Sequence, residues 1–287
     1  MIRKLSISVC TVFLLAAVMP LFAADEKMTA ESLVAHHLDS VGKPEARAAI
    51  KSRVAEGTVT YEILTGGSGR LDGKLIAVSE GRKLRIVQRY SGSNPNGEDF
   101  ICDGEKVDVA LLHTGTRTAF GEIVQTQKHL LREGIIGGLL TTAWPLLNLP
   151  AHQVKLSYNG LKKVKDRELH ELTYNPKKRG DMDIRMYFDP ETYRHVMTVY
   201  TMTVSPGLAE VPAGWNREQY TARQQQLRYR IEESFENFEQ TQGLMLPTKW
   251  TVHFTIDGYE SAVQRWTMAV RRFEHNISLD ARNFLVK

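Results

Sequence analysis

From Val54 onward the apolar residues of this chain recur at every second position, and no other feature limits its possible folds so strongly. Val59, Tyr61 and Ile63 alternate with Thr58, Thr60 and Glu62. Leu227, Tyr229 and Ile231, continued by Phe235, alternate with Arg228, Arg230, Glu232 and Ser234. Trp250, Val252, Phe254 and Ile256 alternate with Thr251, His253 and Thr255, and Ala262, Gln264, Trp266, Met268 and Val270 line one face of the strand that follows. Further strands are expected over 71–79, 84–90, 98–102, 107–112, 154–158, 162–165, 168–174, 183–189 and 195–205. The turns expected between them fall at Gly66 to Gly69, Glu80-Gly81, Asn94 to Gly97, Asp103-Gly104, Asn159-Gly160 and Asp189 to Thr192, with Asp72-Gly73 as a further connection or bulge and Gln240 to Pro247 as a late turn. Connections this short force antiparallel neighbours, so the chain reads as meanders whose sheet must be covered on one face only.

One stretch breaks the pattern. Residues 130–149, LLREGIIGGLLTTAWPLLNL, are apolar on every side, and such a segment cannot lie on a wet surface. A helix is expected over 121–132, a loosened joint over 134–138 and a second helical piece over 139–147 that Pro145 bends or ends. A sheet of about ten strands with one apolar face twists and curls into a trough, and this insertion is the segment available to fill it. Burial of Leu131, Ile135, Ile136, Leu139, Leu140 and Trp144 contributes roughly 1.5 to 3 kcal/mol each. That is enough for a permanent core and also within reach of an apolar ligand that takes its place.

The ends of the chain have different characters. Arg3 and Lys4 precede an apolar run from Leu5 to Val18, and Pro20 leads to Leu21-Phe22-Ala23-Ala24 before Asp25, which is the pattern of a cleaved secretory signal. Residues 1–24 are therefore read as a signal peptide and 25–287 as one domain with a helical insertion at about 121–149. After it, Glu31 to Ser52 has helical spacing with a break at Gly42-Lys43-Pro44. His36 and His37 point to different sides of that helix and are read as exposed. Without residues 1–24 the 37 basic residues fall to 35 against 33 acidic, a net charge of +2 that calls for no nucleic acid. Cys10 is lost as well, which leaves Cys102 as a lone strand-end thiol with no disulfide to make.

Motifs that carry chemistry are few in the chain. There is no nucleophile elbow, no H-E-x-x-H and no paired cysteine, and the Gly66 to Gly69 run lacks the Lys-Ser/Thr and the strand-helix context of a phosphate cradle. Glu168 with His170, and Asp181 with Asp183, share strand faces as chance allows in a chain with 24% charged residues. Asn276-Ile277-Ser278 is a glycosylation sequon by pattern only. No catalytic residue, metal ligand or cofactor is expected, and the chain is read as a non-enzyme.

Three stretches carry a family resemblance. Tyr187-Phe188-Asp189-Pro190-Glu191-Thr192 looks like a hairpin between two central strands, Phe235 to Phe238 followed by Gly243-Leu244-Met245-Leu246-Pro247 looks like a late turn and the strand after it, and the secretory signal matches the compartment. In these, and in its order of helix, meander, apolar insertion and second meander, the chain resembles the LolA/LolB-like family of periplasmic lipoprotein carriers over most of residues 30 to 287. The resemblance implies an α+β, mainly antiparallel fold: an incomplete, half-open β-barrel capped by helices. It also implies an apolar cavity, for which Leu131, Ile135, Ile136, Leu139, Leu140 and Trp144 of the insertion and Tyr229, Trp250 and Phe254 of the sheet are the expected lining. The expected ligands are lipid or lipoprotein acyl chains, with an envelope membrane protein as a further partner, and the expected protein is a periplasmic monomer. The competing reading on the same fold is a non-enzymatic envelope-stress sensor or structural protein with a filled core. A membrane-inserting segment is a third: Gly134 to Gln153 is uncharged and Gly134-x-x-x-Gly138 suits helix packing, although Thr141, Thr142, Pro145 and Asn148 oppose stable spanning.

Overall fold

The computed structural model describes residues 27–91, 97–177, 180–204, 227–258 and 261–286. The expected signal segment and the turn residues 94–96 lie outside the described residues, as does the stretch 206–220, where Gly207, Pro212 and Gly214 predict a long loop. Helix α1 (Ala30–Val41) begins at Thr29, whose hydroxyl accepts the Ser32 amide at 3.1 Å while the Ser32 hydroxyl accepts the Thr29 amide at 2.9 Å. Two orphan donors of the first turn are thereby satisfied. Pro44 then opens a separate helix, α2 (Pro44–Ala49), at a position where a missing N–H costs nothing. Helix α1 buries Leu33, Val34, His37 and Val41. His37 is thus not the exposed residue expected from the sequence, because its turn faces the core while His36 faces out.

The first meander is β1 (Ser52–Thr65), β2 (Gly69–Glu80), β3 (Lys83–Tyr90), β4 (Gly97–Cys102) and β5 (Val107–Leu111). The second is β6 (Lys155–Val164), β7 (Arg167–Asn175), β8 (Asp183–Phe188), β9 (His195–Val204), β10 (Leu227–Thr241), β11 (Leu244–Asp257) and β12 (Ala262–His275). Among the described residues that makes a 12-stranded sheet in place of the expected ten or so. Several expected breaks are not breaks. Asp72 and Gly73 pair with Thr60 and Val59 inside an unshifted β1–β2 ladder. Asn159-Gly160 is a bulge within β6, where the register with β7 slips between Tyr158 and Leu161. The late turn is confined to Gln242 and Gly243, and Leu244 to Pro247 already belong to β11.

The strand order is β5-β4-β3-β2-β1-β12-β11-β10-β9-β8-β7-β6, antiparallel throughout. Each half runs outward or inward by hairpins, and the first and last strands meet in the middle. The two edges, β5 and β6, are consecutive in the chain. Residues 112–154 must therefore travel from one edge of the sheet to the other, and the apolar face is the route on which their side chains find cover. This strap contains α3 (Ala119–Thr126), α4 (His129–Arg132) and two 3-10 segments, Gly138–Leu140 and Pro145–Ala151. The single helix expected over 121–132 is broken at Gln127, which caps α3 in a non-helical conformation. The second expected piece reduces to 3-10 turns, since Gly134, Gly137 and Gly138 all have positive φ and Pro145 starts a turn rather than ending one.

Curvature follows from the contacts of the strap. A methyl group built on Gly137 would lie 3.4 Å from Cδ1 of Ile86 on β3 and 3.8 Å from Cη2 of Trp250 on β11. Those strands are four places apart in the sheet, about 19 Å if it were flat. The sheet curls around the strap without closing. One core contains strap residues and the inner faces of both meanders, while small clusters cover parts of the outer face, such as Leu169, Tyr187, Met197 and Val199. No described helix is long and apolar enough to cross a membrane.

Candidate functional site

The trough under the strap is the candidate site. Leu131, Ile135, Ile136, Leu139, Leu140 and Trp144 from the strap, and Trp250 and Phe254 from β11, are all buried in the same core. Tyr229 on β10 is half-buried at its margin, with its ring centroid 6.3 Å from that of Phe254. The structure thus brings all nine expected lining residues into one core, where the strap itself occupies the space between the sheet walls.

Polar groups hold the strap in place. On β10, Glu233 follows the inward parity of Ile231 and Phe235, so its carboxylate points into the core. It accepts the Gly137 amide at 2.9 Å and the hydroxyl of Tyr200. Burial pushes its pKa up to about 7, against the opposing effect of those two donors. Glu98 on β4 does the same at the start of the strap. It accepts the Thr118 amide at 2.6 Å and the Thr118 hydroxyl at 2.7 Å, and burial raises it to about 7. Thr118 in turn caps α3 through Gly121 at 3.0 Å. Farther on, the Thr142 amide donates to the Ser79 hydroxyl at 2.8 Å and the Thr142 hydroxyl to the Gly81 carbonyl at 3.1 Å.

A third group of contacts joins α1 to the strap. The Trp144 indole N–H donates to Nε2 of His37 at 3.3 Å, and His37 Nδ1 donates to the Tyr193 carbonyl at 3.1 Å. That pattern needs the neutral imidazole, and burial lowers the His37 pKa to about 4. His195 stacks on Trp144 at 4.5 Å between centroids and bonds Thr198 at 2.8 Å, and its pKa is likewise lowered by burial. Both rings are core partners. Among the described residues no group of three or more His, Cys, Asp and Glu side chains is placed to hold a metal ion. Cys102 ends β4 as a buried free thiol whose pKa is raised by burial. Asn276 uses its side chain inside the fold, donating to the Ala49 carbonyl at 2.9 Å and accepting the Lys51 amide at 2.8 Å.

Glu98, Glu233 and His37 are absent from the sequence-based set of site residues. Strand parity was the available signal: Glu233 lies two places from Ile231 and from Phe235, and Glu98 two from Phe100, so each falls on an apolar face.

The geometry is that of an unclosed antiparallel sheet whose apolar inner face is spanned by an edge-to-edge strap. No protein-family model and no curated protein matches the chain. Among solved structures it is similar to a LolA superfamily protein from Nitrosomonas europaea, at 11% identity and a TM-score of 0.47, over 90% of this chain and 98% of that one. It is similar to a domain named for outer membrane lipoprotein sorting from Vibrio parahaemolyticus, at 10% identity and a TM-score of 0.45, over 89% and 97% of the two chains. A DUF1329 family protein from Desulfovibrio piger matches at 10% identity and a TM-score of 0.49, over 89% and 97%.

Proposed function

We propose that this protein is a non-enzymatic carrier or binding protein of the periplasm for lipid or lipoprotein acyl chains, exported by cleavage of residues 1–24 and built as one domain over 25–287. The strap acts as its lid. The observation that supports this is how the strap is attached: among the described residues, no backbone-to-backbone hydrogen bond joins 118–149 to a strand. It can therefore leave the trough without breaking a ladder.

The full burial of Leu131, Ile135 and Trp144 favours a second reading, in which the strap is permanent core and the protein works as a sensor or structural component through an envelope partner. A disulfide staple separates the two. In a Ser79→Cys, Thr142→Cys protein, the carrier reading expects uptake of a fluorescent fatty acid when reduced and little when oxidised. Equal uptake in both states would remove the lid. Failure of every acyl probe, together with no co-purifying lipid by mass spectrometry, would leave only the second reading.

A further inference from the structure

At the end of the trough, where α2 meets the strap, there is a cavity of about 460 Å³, inside the roughly 300–1,000 Å³ range of small-ligand sites. Its walls are of two kinds. Val41, Ile50, Leu147 and Leu244 give apolar surface, and Arg47, Lys51 and Arg53 bring three cations; among the described residues no Asp or Glu lines it. Arg53 is the unusual member, since the residue is only 2% exposed. Its Nε donates to Nε2 of His275 at 3.1 Å and its Nη1 to the Leu139 carbonyl. Both acceptors are neutral, for burial and the adjacent Arg53 charge lower the His275 pKa to about 4. Among the described residues no carboxylate forms an ion pair with Arg53, and burial alone lowers its pKa to about 10.

A cation withdrawn from water without a counter-charge is unfavourable, and a guanidinium presents its donors in a fork that fits carboxylate and phosphate oxygens. Arg47 donates to the Gly42 carbonyl at 2.9 Å and sits 3.5 Å from the largely exposed Asp39. Lys51 is exposed, on the short segment between α2 and β1. The positive charge is thus graded from the mouth to the interior of the cavity, beside an apolar wall that is continuous with the main core.

We propose that this cavity binds the anionic head of an amphiphile, a carboxylate or phosphate monoester on an alkyl chain, with Arg53 at its inner end, Arg47 and Lys51 at its mouth and the chain along the Val41 and Leu244 wall. The ligand class rests on the carrier reading; the requirement for a negative head is added to it. Isothermal titration of the purified protein with sodium decanoate, decyl phosphate, 1-decanol and inorganic phosphate tests both. Decanoate and decyl phosphate are expected to bind at least about tenfold more tightly than decanol or inorganic phosphate. Lys51→Glu is expected to weaken decanoate about tenfold and leave decanol unchanged, with Arg47→Gln as a second variant and unchanged melting temperature as the control for folding. If decanol binds as tightly as decanoate and both variants are silent, the headgroup site is overturned while the carrier reading stands. If no amphiphile binds, both fall. If inorganic phosphate matches decyl phosphate, the amphiphile assignment is overturned in favour of a plain anion site.

Discussion

The backbone amide of Gly137 donates a 2.9 Å hydrogen bond to Oε1 of Glu233, linking the strap to a fully buried carboxylate on β10. Because burial raises that carboxyl from 4.5 to about 7, its protonated form is favoured by folding. The resulting stabilisation is fully present below pH 4.5 and is lost as pH rises through about 7. Glu233→Gln keeps an uncharged hydrogen-bonding group at every pH. It is expected to raise the unfolding free energy at pH 8 by on the order of 2 kcal/mol and to leave it nearly unchanged at pH 4.5. Urea unfolding at the two pH values measures this, and an equal loss at both would show that only the shape of the side chain counts.

His37 works in the opposite direction. Its folded pKa is lowered from 6.5 to about 4, so the stability it contributes is present above pH 6.5 and lost as pH falls through about 4. Protonation of Nε2 also removes the acceptor for the Trp144 indole. His37→Gln is expected to be less stable at pH 7 but to lose up to about 3 kcal/mol less on acidification to pH 4.5 than the parent protein. Melting curves across that range, with tryptophan emission as the probe, would refute this by giving parallel pH profiles.

Gly134 has φ +71°, and a Cβ added to it would sit 2.1 Å from the Ala143 carbonyl oxygen. Gly160 has a similar φ of +83° but open space around it. Gly134→Ala is expected to destabilise by more than about 2 kcal/mol and Gly160→Ala by only about 1 kcal/mol, the difference being the steric contact. Equal melting temperatures for the two variants would mean that the strap relaxes at that point without resistance.

Ile136, in the middle of the strap, is 1% exposed. A tryptophan there overfills the trough, at a cost of about 1 to 3 kcal/mol. If the strap is a lid, Ile136→Trp is expected to change affinity for a fluorescent fatty acid by at least about tenfold while the protein still folds cooperatively. A lower melting temperature with unaltered binding would mark the strap as permanent core.

The strands were readable because most of them alternate strictly, and β10, β11 and β12 appear at nearly their expected positions. The failures have local causes. Asn159-Gly160 has hairpin composition, yet the β6–β7 ladder absorbs it as a bulge because pairing continues on both sides. Gly121 to Arg132 has helical composition, but the strap must cross a curled sheet in a set length, and its path changes direction at Gln127 and again at the glycines. That residues 130–149 and the inward strand positions would be buried together was legible from hydrophobicity alone. The groups that fasten the strap were not, because Glu98, Glu233, Arg53 and His37 are residue types that ordinarily face water, and only the inward parity of the three strand positions and the helical phase of His37 with Leu33, Val34 and Val41 distinguish them. The edge-to-edge course of the strap depends on β1 pairing with β12, a long-range choice that no local pattern records.

That central pairing has a consequence in time. Arg53 lies opposite His275 in the β1–β12 register, 222 positions later in the chain. Hairpins within each meander can form early and locally, but the two half-sheets have no common hydrogen bonds until the last strand is present to join them. Contacts so distant in sequence carry a large loop-closure entropy and make folding slow relative to a helical protein of equal length. The rate of folding is accordingly expected to respond to changes along the Arg53 to Thr65 side of this seam, and a chain shortened before β12 leaves two open-edged sheets prone to pair with other chains.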